Sequence, residues 1–504
     1  MPQTPDFSHL PDRPAPQEMS PEAFRAAGQT IVERIARYFE AVRETPVLPD
    51  IAPGSIRKQV PERAPDQGKP FEAIMADFEE VLYPGLTHWN SPRYMAYFPS
   101  SASAPGALGE MLAAGFGQNN MLWRTSPAGT ELEVRVMEWL RDLFGLSDTF
   151  FGEILDTAST SSLVALAAAR EKAGDLRLRS RGLAGRAEVP RLIVYASDQA
   201  HSSIDKAAMT LGYGLEQVRK IPSDEAFRMR ADALRAAVGS DLEAGHRPLA
   251  VVGTLGTTSS TSVDPAAAIA DIAEEFGLWF HIDAAYAGSA AAVPEKRALF
   301  EGWERADSIV VNPHKWLFTP MDFSAFFVRD REKLRSAFSL VPEYLTSDLD
   351  SDEELVNLMD YGFQLGRRWR SLKMWMILRW YGAEGIRDRL RYHMELADGL
   401  ARIIEEQDGV ELVAPVPFAT VCFRFRPQGW EAGSEEAEQR LEGLNRRVMD
   451  RANATGQVFL SHTKLDGVYT LRLAIGHPRT TAGDVRAVWD LLTGLARAIS
   501  GEMT

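Results

Sequence analysis

Apolar residues recur at two different periods along this chain, and the period changes with position. Phe24, Ile31, Val32, Ile35, Phe39 and Val42 are spaced as one face of an α-helix. Ser20, Pro21 and Glu22 precede them as a capping hydroxyl, a proline at the first helical position and an early acid, so the helix is predicted to start there. Pro46 and Pro49 end it. A second amphipathic stretch covers about 70–83. These two pieces predict an N-terminal helical arm over residues 1–88. Its apolar face has few local partners; packing on its own domain and packing across a dimer both satisfy it.

From 89 to 375 the pattern becomes an alternation. Short apolar runs at 192–195, 249–252, 278–282 and 308–311 are separated by helical patterns such as 265–276. That alternation predicts a mainly parallel sheet covered by helices. From 376 to 504, candidate strands at 419–425 and 468–475 are interleaved with helices at 387–406, 435–454 and 482–499. Leu471, Leu473 and Ile475 alternate with Arg472 and Ala474, as in a strand with one covered face. The predicted organisation is therefore an arm, a large α/β domain and a small C-terminal α/β domain.

Composition narrows the function classes. A net charge of -15 disfavours nucleic acid and anionic membranes as partners. The single cysteine, Cys422, excludes an intrachain disulfide. The first residues lack a signal-peptide pattern, and no apolar run is long enough to span a bilayer, so a cytoplasmic location is expected. There is no Gly-x-Gly-x-x-Gly after a strand, no His-Glu-x-x-His and no cysteine cluster, so neither a dinucleotide nor a metal is expected.

The candidate chemistry lies where the four central runs end. Ligands of open parallel sheets bind beyond the carboxyl ends of the strands. Those ends read Ser197–His201, Thr254–Thr258, Asp283–Tyr286 and Asn312–Lys315. Asp283 closes an apolar run, and a carboxylate there needs a partner. A protonated ring nitrogen is one; the cap of the next helix is another. Lys315, 32 residues further on, is able to form a Schiff base with an aldehyde cofactor, and its pKa falls readily in a desolvated site. His201 is flat enough to stack on a ring and titrates near neutral pH. Thr157–Ser162 precedes the helical run Leu163–Ala167, which suits a phosphate cradle and an ordinary helix cap alike.

Taken together these residues resemble the group II decarboxylases dependent on pyridoxal 5′-phosphate (PLP), specifically the aromatic-L-amino-acid decarboxylase family. The matching stretches are Met95–Pro99, Ser126–Glu133, Ser197–Ser203, His281–Ser289, Asn312–Trp316 and Leu365–Lys373, in order between about 20 and 480. The resemblance implies the PLP-dependent transferase fold type I: a large domain with a mainly parallel seven-stranded sheet, a small C-terminal α/β domain, and a helical arm wrapped around a homodimer partner. It implies that Lys315 holds PLP as a Schiff base, that Asp283 pairs with the pyridine nitrogen and that His201 stacks on the ring. Thr157, Ala158, Ser159 and Asn312 then fall around the phosphate, and Thr258 at a further cofactor contact. Ser100 and His201 fall at positions that touch substrate, and Trp89, Tyr97 and Phe98 at pocket walls. Met121, with Asn119, reaches the pocket from the partner subunit. Gly366 leaves room for a large ring, favouring Trp, Tyr, Phe or Dopa as substrate.

The implied reaction yields an amine and CO₂, with Tyr344 on the stretch Phe338–Leu345 returning a proton to Cα and His314 and His201 as relays. Related aldehyde synthases tend to carry Phe where Tyr344 stands, so oxidative deamination is the alternative reaction. A non-catalytic dimeric binding protein on the same fold is the alternative of another class. Asn119–Arg124, Asp156–Thr157 and Tyr361–Gln364 depart from the animal enzymes and bear on which aromatic substrate is taken.

Overall fold

Strands buried on both faces need helices on both sides, and this chain supplies them. The computed structural model describes residues 10, 11, 13, 14, 18–340 and 355–503. They form two compact units: one holds the residues before Pro46 together with Pro49–Thr87, the other Pro46–Leu48 and everything from His88 on.

In the first unit, helix Pro21–Ala41 begins as the sequence predicts. Ser20 Oγ accepts from the Ala23 N–H at 3.2 Å, with Pro21 in the first turn. The second piece, Phe71–Asp77, continues into a π-helical turn, Phe78–Leu82. Arg34 fastens the two by pairing with Glu79 and lying 4.2 Å from the centre of the Tyr83 ring. Phe24, Val32, Ile35 and Ile74 remain exposed.

The second unit is built on a seven-stranded sheet. Its strands are β1 (Phe151–Leu155), β2 (Leu192–Ser197), β3 (Val218–Ile221), β4 (Arg247–Thr254), β5 (Trp279–Asp283), β6 (Ser308–Val311) and β7 (Ser324–Val328). Their spatial order is β1-β7-β6-β5-β4-β2-β3. All neighbours are parallel except β7, which runs antiparallel to both β1 and β6. Alternate residues divide between two cores. Val251, Phe280, Ile309 and Phe327 face one, with helices Pro127–Phe144 and Ala266–Phe276. Val252, Trp279, Val310 and Phe326 face the other, with helices Ala158–Lys172 and Ser203–Thr210.

A second, antiparallel sheet follows, of β8 (Val410–Leu412), β9 (Thr420–Phe425), β10 (Ser461–Leu465) and β11 (Val468–Ala474), in the order β10-β11-β9-β8. Helices Glu435–Ala454 and Ala482–Glu502 accompany it. Its Phe423 and Leu473 share a core with Ile282 and Trp316 of the larger sheet. The helix that joins them, Ser371–Glu406, runs across residue 376 and breaks at Gly382, where φ is 67°. The expectation of one covered face for β11 is corrected: Arg472 and Ala474 are buried as well as Leu471 and Leu473. The second face does not meet water, because Arg472 contacts the loops at Tyr97 and Ser259. Among the described residues no helix is long and apolar enough to cross a membrane.

Candidate active site

Because β2, β4, β5 and β6 are parallel, their carboxyl ends share one edge of the sheet. Asp283 is the last residue of β5, and its Oδ1 accepts from the Ala285 N–H at 3.1 Å. The Asn312 N–H donates to the Ala285 carbonyl at 2.9 Å, and the Lys315 N–H to the Asn312 carbonyl at 2.9 Å. Backbone bonds thus register the Asp283 turn against the one-turn helix Pro313–Trp316 that carries Lys315.

A cavity of about 170 Å³ opens at this edge. Of the residues singled out from sequence, Phe98, Thr157, Ala158, Ser159, His201, Thr258, Asp283, Asn312, His314 and Lys315 line it. Thr254, Gly256, Ala285 and Tyr286 complete the lining. Sequence reasoning gave these four no role. Tyr286, three residues past Asp283, carried a usable signal, since a tyrosine at a strand end is a ready pocket wall. It stacks on Phe98 (3.9 Å between centroids) on one side and on Trp316 (4.8 Å) on the other. Gly256 adopts φ +97°, and a Cβ there would stand 2.4 Å from the Ala287 Cβ, so the wall needs glycine.

Electrostatics shift the Lys315 amine toward its neutral form. Burial pushes the Lys315 amine below the usual lysine range, Asp283 pulls it back up, and the Arg472 guanidinium pushes it down again. His314 is buried, its Nδ1 accepts from the Phe323 N–H at 3.0 Å, and its carbonyl accepts from Ser100 Oγ at 2.8 Å. Burial, with Lys315 adding to it, lowers its pKa to about 4, so the ring is neutral at pH 7. His201 Nδ1 accepts from the Ser203 N–H at 3.1 Å. Although part of that side chain is open to solvent, the packing around it lowers its pKa; Asp283 opposes this and Lys315 adds to it.

The far end of the cavity is the start of helix Ala158–Lys172. Thr157 makes no side-chain cap; its N–H and hydroxyl both bind Asp156 Oδ1, at 2.5 and 3.1 Å. The first-turn N–H groups of such a helix have no intrahelical acceptor. Asn312 Oδ1 and Thr254 Oγ1 are buried without a hydrogen-bond partner. A phosphate suits the helix start, an aldehyde suits the Lys315 amine, and a protonated ring nitrogen suits the Asp283 carboxylate. The donor set fits pyridoxal phosphate.

Six of the expected residues are not in that lining: Ser100, which is bonded to the His314 carbonyl, and five more. Trp89 stacks on Tyr94, at 4.2 Å. Tyr97 is 55% exposed, has φ +52°, and its ring meets Phe459 edge-on. Asn119, Met121 and Gly366 form a separate group. Asn119 Oδ1 accepts from the Arg367 N–H at 2.9 Å, and its Nδ2 is 3.6 Å from Met121 Sδ. A Cβ on Gly366 would meet nothing closer than Asn119 Nδ2, at 3.9 Å. Tyr344 lies outside the described residues.

Comparison with known proteins places the chain in a family. The model of the pyridoxal-dependent decarboxylase conserved domain matches residues 53–426. The chain is 40% identical over 482 residues to a phenylacetaldehyde synthase of Arabidopsis thaliana, covering 94% of this chain and 96% of the relative. It is 39% identical to tryptophan decarboxylase 2 of Oryza sativa subsp. japonica, covering 96% and 97%. A crystal structure of Oryza sativa TDC with PLP and tryptamine superposes with a TM-score of 0.91 at 36% identity, covering 96% of this chain and all of that one. The chain belongs to the pyridoxal-dependent decarboxylase family. It is a fold type I carboxy-lyase whose cofactor is pyridoxal 5′-phosphate.

Proposed function

We propose that this enzyme decarboxylates aromatic L-amino acids, giving the amine and CO₂, and that it does so as a cytoplasmic homodimer. The observation that carries the reading is the convergence of Lys315, Asp283, His201 and a helix N-terminus on one cavity. The aromatic substrate class is supported by the decarboxylase relatives and by the open space at Gly366.

In this reading the Lys315 amine would hold the cofactor's aldehyde, Asp283 would accept a hydrogen bond from its protonated ring nitrogen, and His201 would stack on the ring. Ala158, Ser159 and Asn312 hold the phosphate, and Thr258 is a further contact. Bound there, pyridoxal phosphate supplies an electron sink for the Cα–carboxylate bond as CO₂ leaves. The chain's own side chains do the rest. Phe98 and Tyr286 exclude water from the cavity. Ser100, bonded to the His314 carbonyl, would touch the substrate. The neutral His314 and His201 are able to pass a proton inward, and Tyr344 delivers one to the substrate Cα once CO₂ has gone. Met121, with Asn119, serves the cavity of a second copy; Trp89 and Tyr97 wall the substrate side, and Gly366 leaves room there for a large ring.

The 40% identity to a phenylacetaldehyde synthase favours a second reading, in which decarboxylation is followed by oxidative deamination. One experiment separates the two. PLP-loaded protein is incubated with Trp, Tyr, Phe and Dopa, with Glu as control, and amine, CO₂, aldehyde and peroxide are measured. Amine and CO₂ in equal amounts are expected. Aldehyde with peroxide supports the second reading, and no turnover of any aromatic substrate overturns both.

A further inference from the structure

Arg472 sits in β11 with 4% exposure and without a carboxylate partner among the described residues. A buried charge with no counter-ion is costly, so its surroundings must compensate it. They do so through two carbonyls and a ring. Arg472 Nε donates to the Ser259 carbonyl and Nη1 to the Tyr97 carbonyl, each at 2.7 Å. The guanidinium carbon lies 4.5 Å from the centre of the Phe98 ring. Nη2 is buried and makes no hydrogen bond.

Each of these contacts touches a wall of the cavity. Tyr97 and Ser259 directly adjoin Phe98 and Thr258, which line it. The Lys315 amine lies over the same Phe98 ring, 5.2 Å from its centre. The rest of the small sheet braces the same two loops. Ser461 Oγ accepts from the Tyr97 N–H at 3.1 Å, Thr463 Oγ1 and Ser259 Oγ are 2.9 Å apart, and Cys422 Sγ donates to the Ser259 carbonyl at 3.3 Å. Tyr97, with φ +52° and no glycine, is held in a costly backbone state by bonds at both its N–H and its carbonyl.

We propose that Arg472 is a positioning residue of the active site: it straps the Tyr97–Phe98 and Thr258–Ser259 walls together and sets a fixed positive charge beside the Lys315 amine, with the Phe98 ring common to both. The inference rests on Lys315 being the cofactor lysine. The groups that face Lys315 are then Asp283, which favours its protonated form, Arg472, which opposes it, and the two neutral histidines, His201 and His314. The opposition matters chemically, because an amine must shed its proton before it can attack a carbonyl.

The test uses PLP-loaded protein and reads the visible absorbance of the bound cofactor against pH, alongside KM and kcat. Arg472→Met removes charge and strap, and should move the absorbance midpoint upward by roughly half a unit to one unit and raise KM. Arg472→Lys keeps a charge but reaches one carbonyl rather than two; it should hold the wild-type midpoint while KM still rises. If Arg472→Met does not accumulate as folded protein, Arg472→Gln carries the same expectation for the midpoint. A charge-free variant with bound cofactor and a wild-type midpoint overturns the electrostatic claim, and a wild-type KM in Arg472→Lys overturns the strap. Wild-type protein with no visible band would instead count against Lys315 as the cofactor lysine, a distinguishable failure.

Discussion

Lys315 owes its chemistry to where β6 ends. The same lysine on a solvated helix would be protonated and inert; here a half-buried side chain brings its amine beside a carboxylate and an aromatic ring. That much was readable, because polar residues directly after apolar runs are conspicuous, and Asp283, His201, Asn312 and Lys315 were all found that way. Wall residues were harder. Phe98 lines the cavity and Tyr97 does not, a difference between neighbours that no residue pattern reports. Tyr344 carries the residue-scale prediction. In Tyr344→Phe the phenolic proton is gone, so amine formation should fall by roughly 10²-fold or more, with aldehyde, ammonia and peroxide appearing instead. Product analysis checks this, and unchanged amine output removes Tyr344 from the proposed mechanism.

At the scale of elements, two of the strands that escaped the sequence reading, β3 and β1, carry charged residues within their short runs. β3 is an edge strand with Arg219 and Lys220 exposed between Val218 and Ile221, so it lacks an apolar run. β1 carries Glu153 inside the sheet, where it faces Arg367 from 214 residues away, beside Glu133. That cluster also receives the Ile154 N–H on Glu133 Oε1 at 3.0 Å, and it fixes the segment that presents Gly366. Burial, and Glu133 after it, push the Glu153 carboxyl up to about 8 although Arg367 pulls it down. A folded pKa raised above the unfolded value of 4.5 gives stability that is complete below about 4.5 and lost as pH rises through about 8. The neutral Glu153→Gln escapes that loss. Its melting temperature relative to wild type should therefore climb between about pH 4.5 and 8, as a thermal-melt series shows; a flat difference across that range contradicts the assignment.

For the whole molecule, the central strands, the long helices and the two-sheet plan were legible because they repeat a period over many residues. What single-chain periodicity does not reveal is what covers an apolar face. The arm keeps Phe24, Val32, Ile35 and Ile74 exposed, and helix Ala104–Phe116 exposes Leu108, Met111, Leu112 and Phe116. Apolar faces of this extent mark interaction surfaces. Light scattering of the loaded enzyme is expected to give twice the chain mass. Replacing Met111 and Phe116 by Glu should yield monomer and reduce turnover, because in the proposed dimer the site draws Met121 from its partner. A fully active monomer contradicts the shared site.

The account stands on Lys315 as the residue that holds the cofactor. Borohydride reduction of PLP-loaded protein, followed by peptide mapping, tests this directly. The expected result is a phosphopyridoxyl group on Lys315, absent from Lys315→Ala. A label on another lysine, or none, contradicts it.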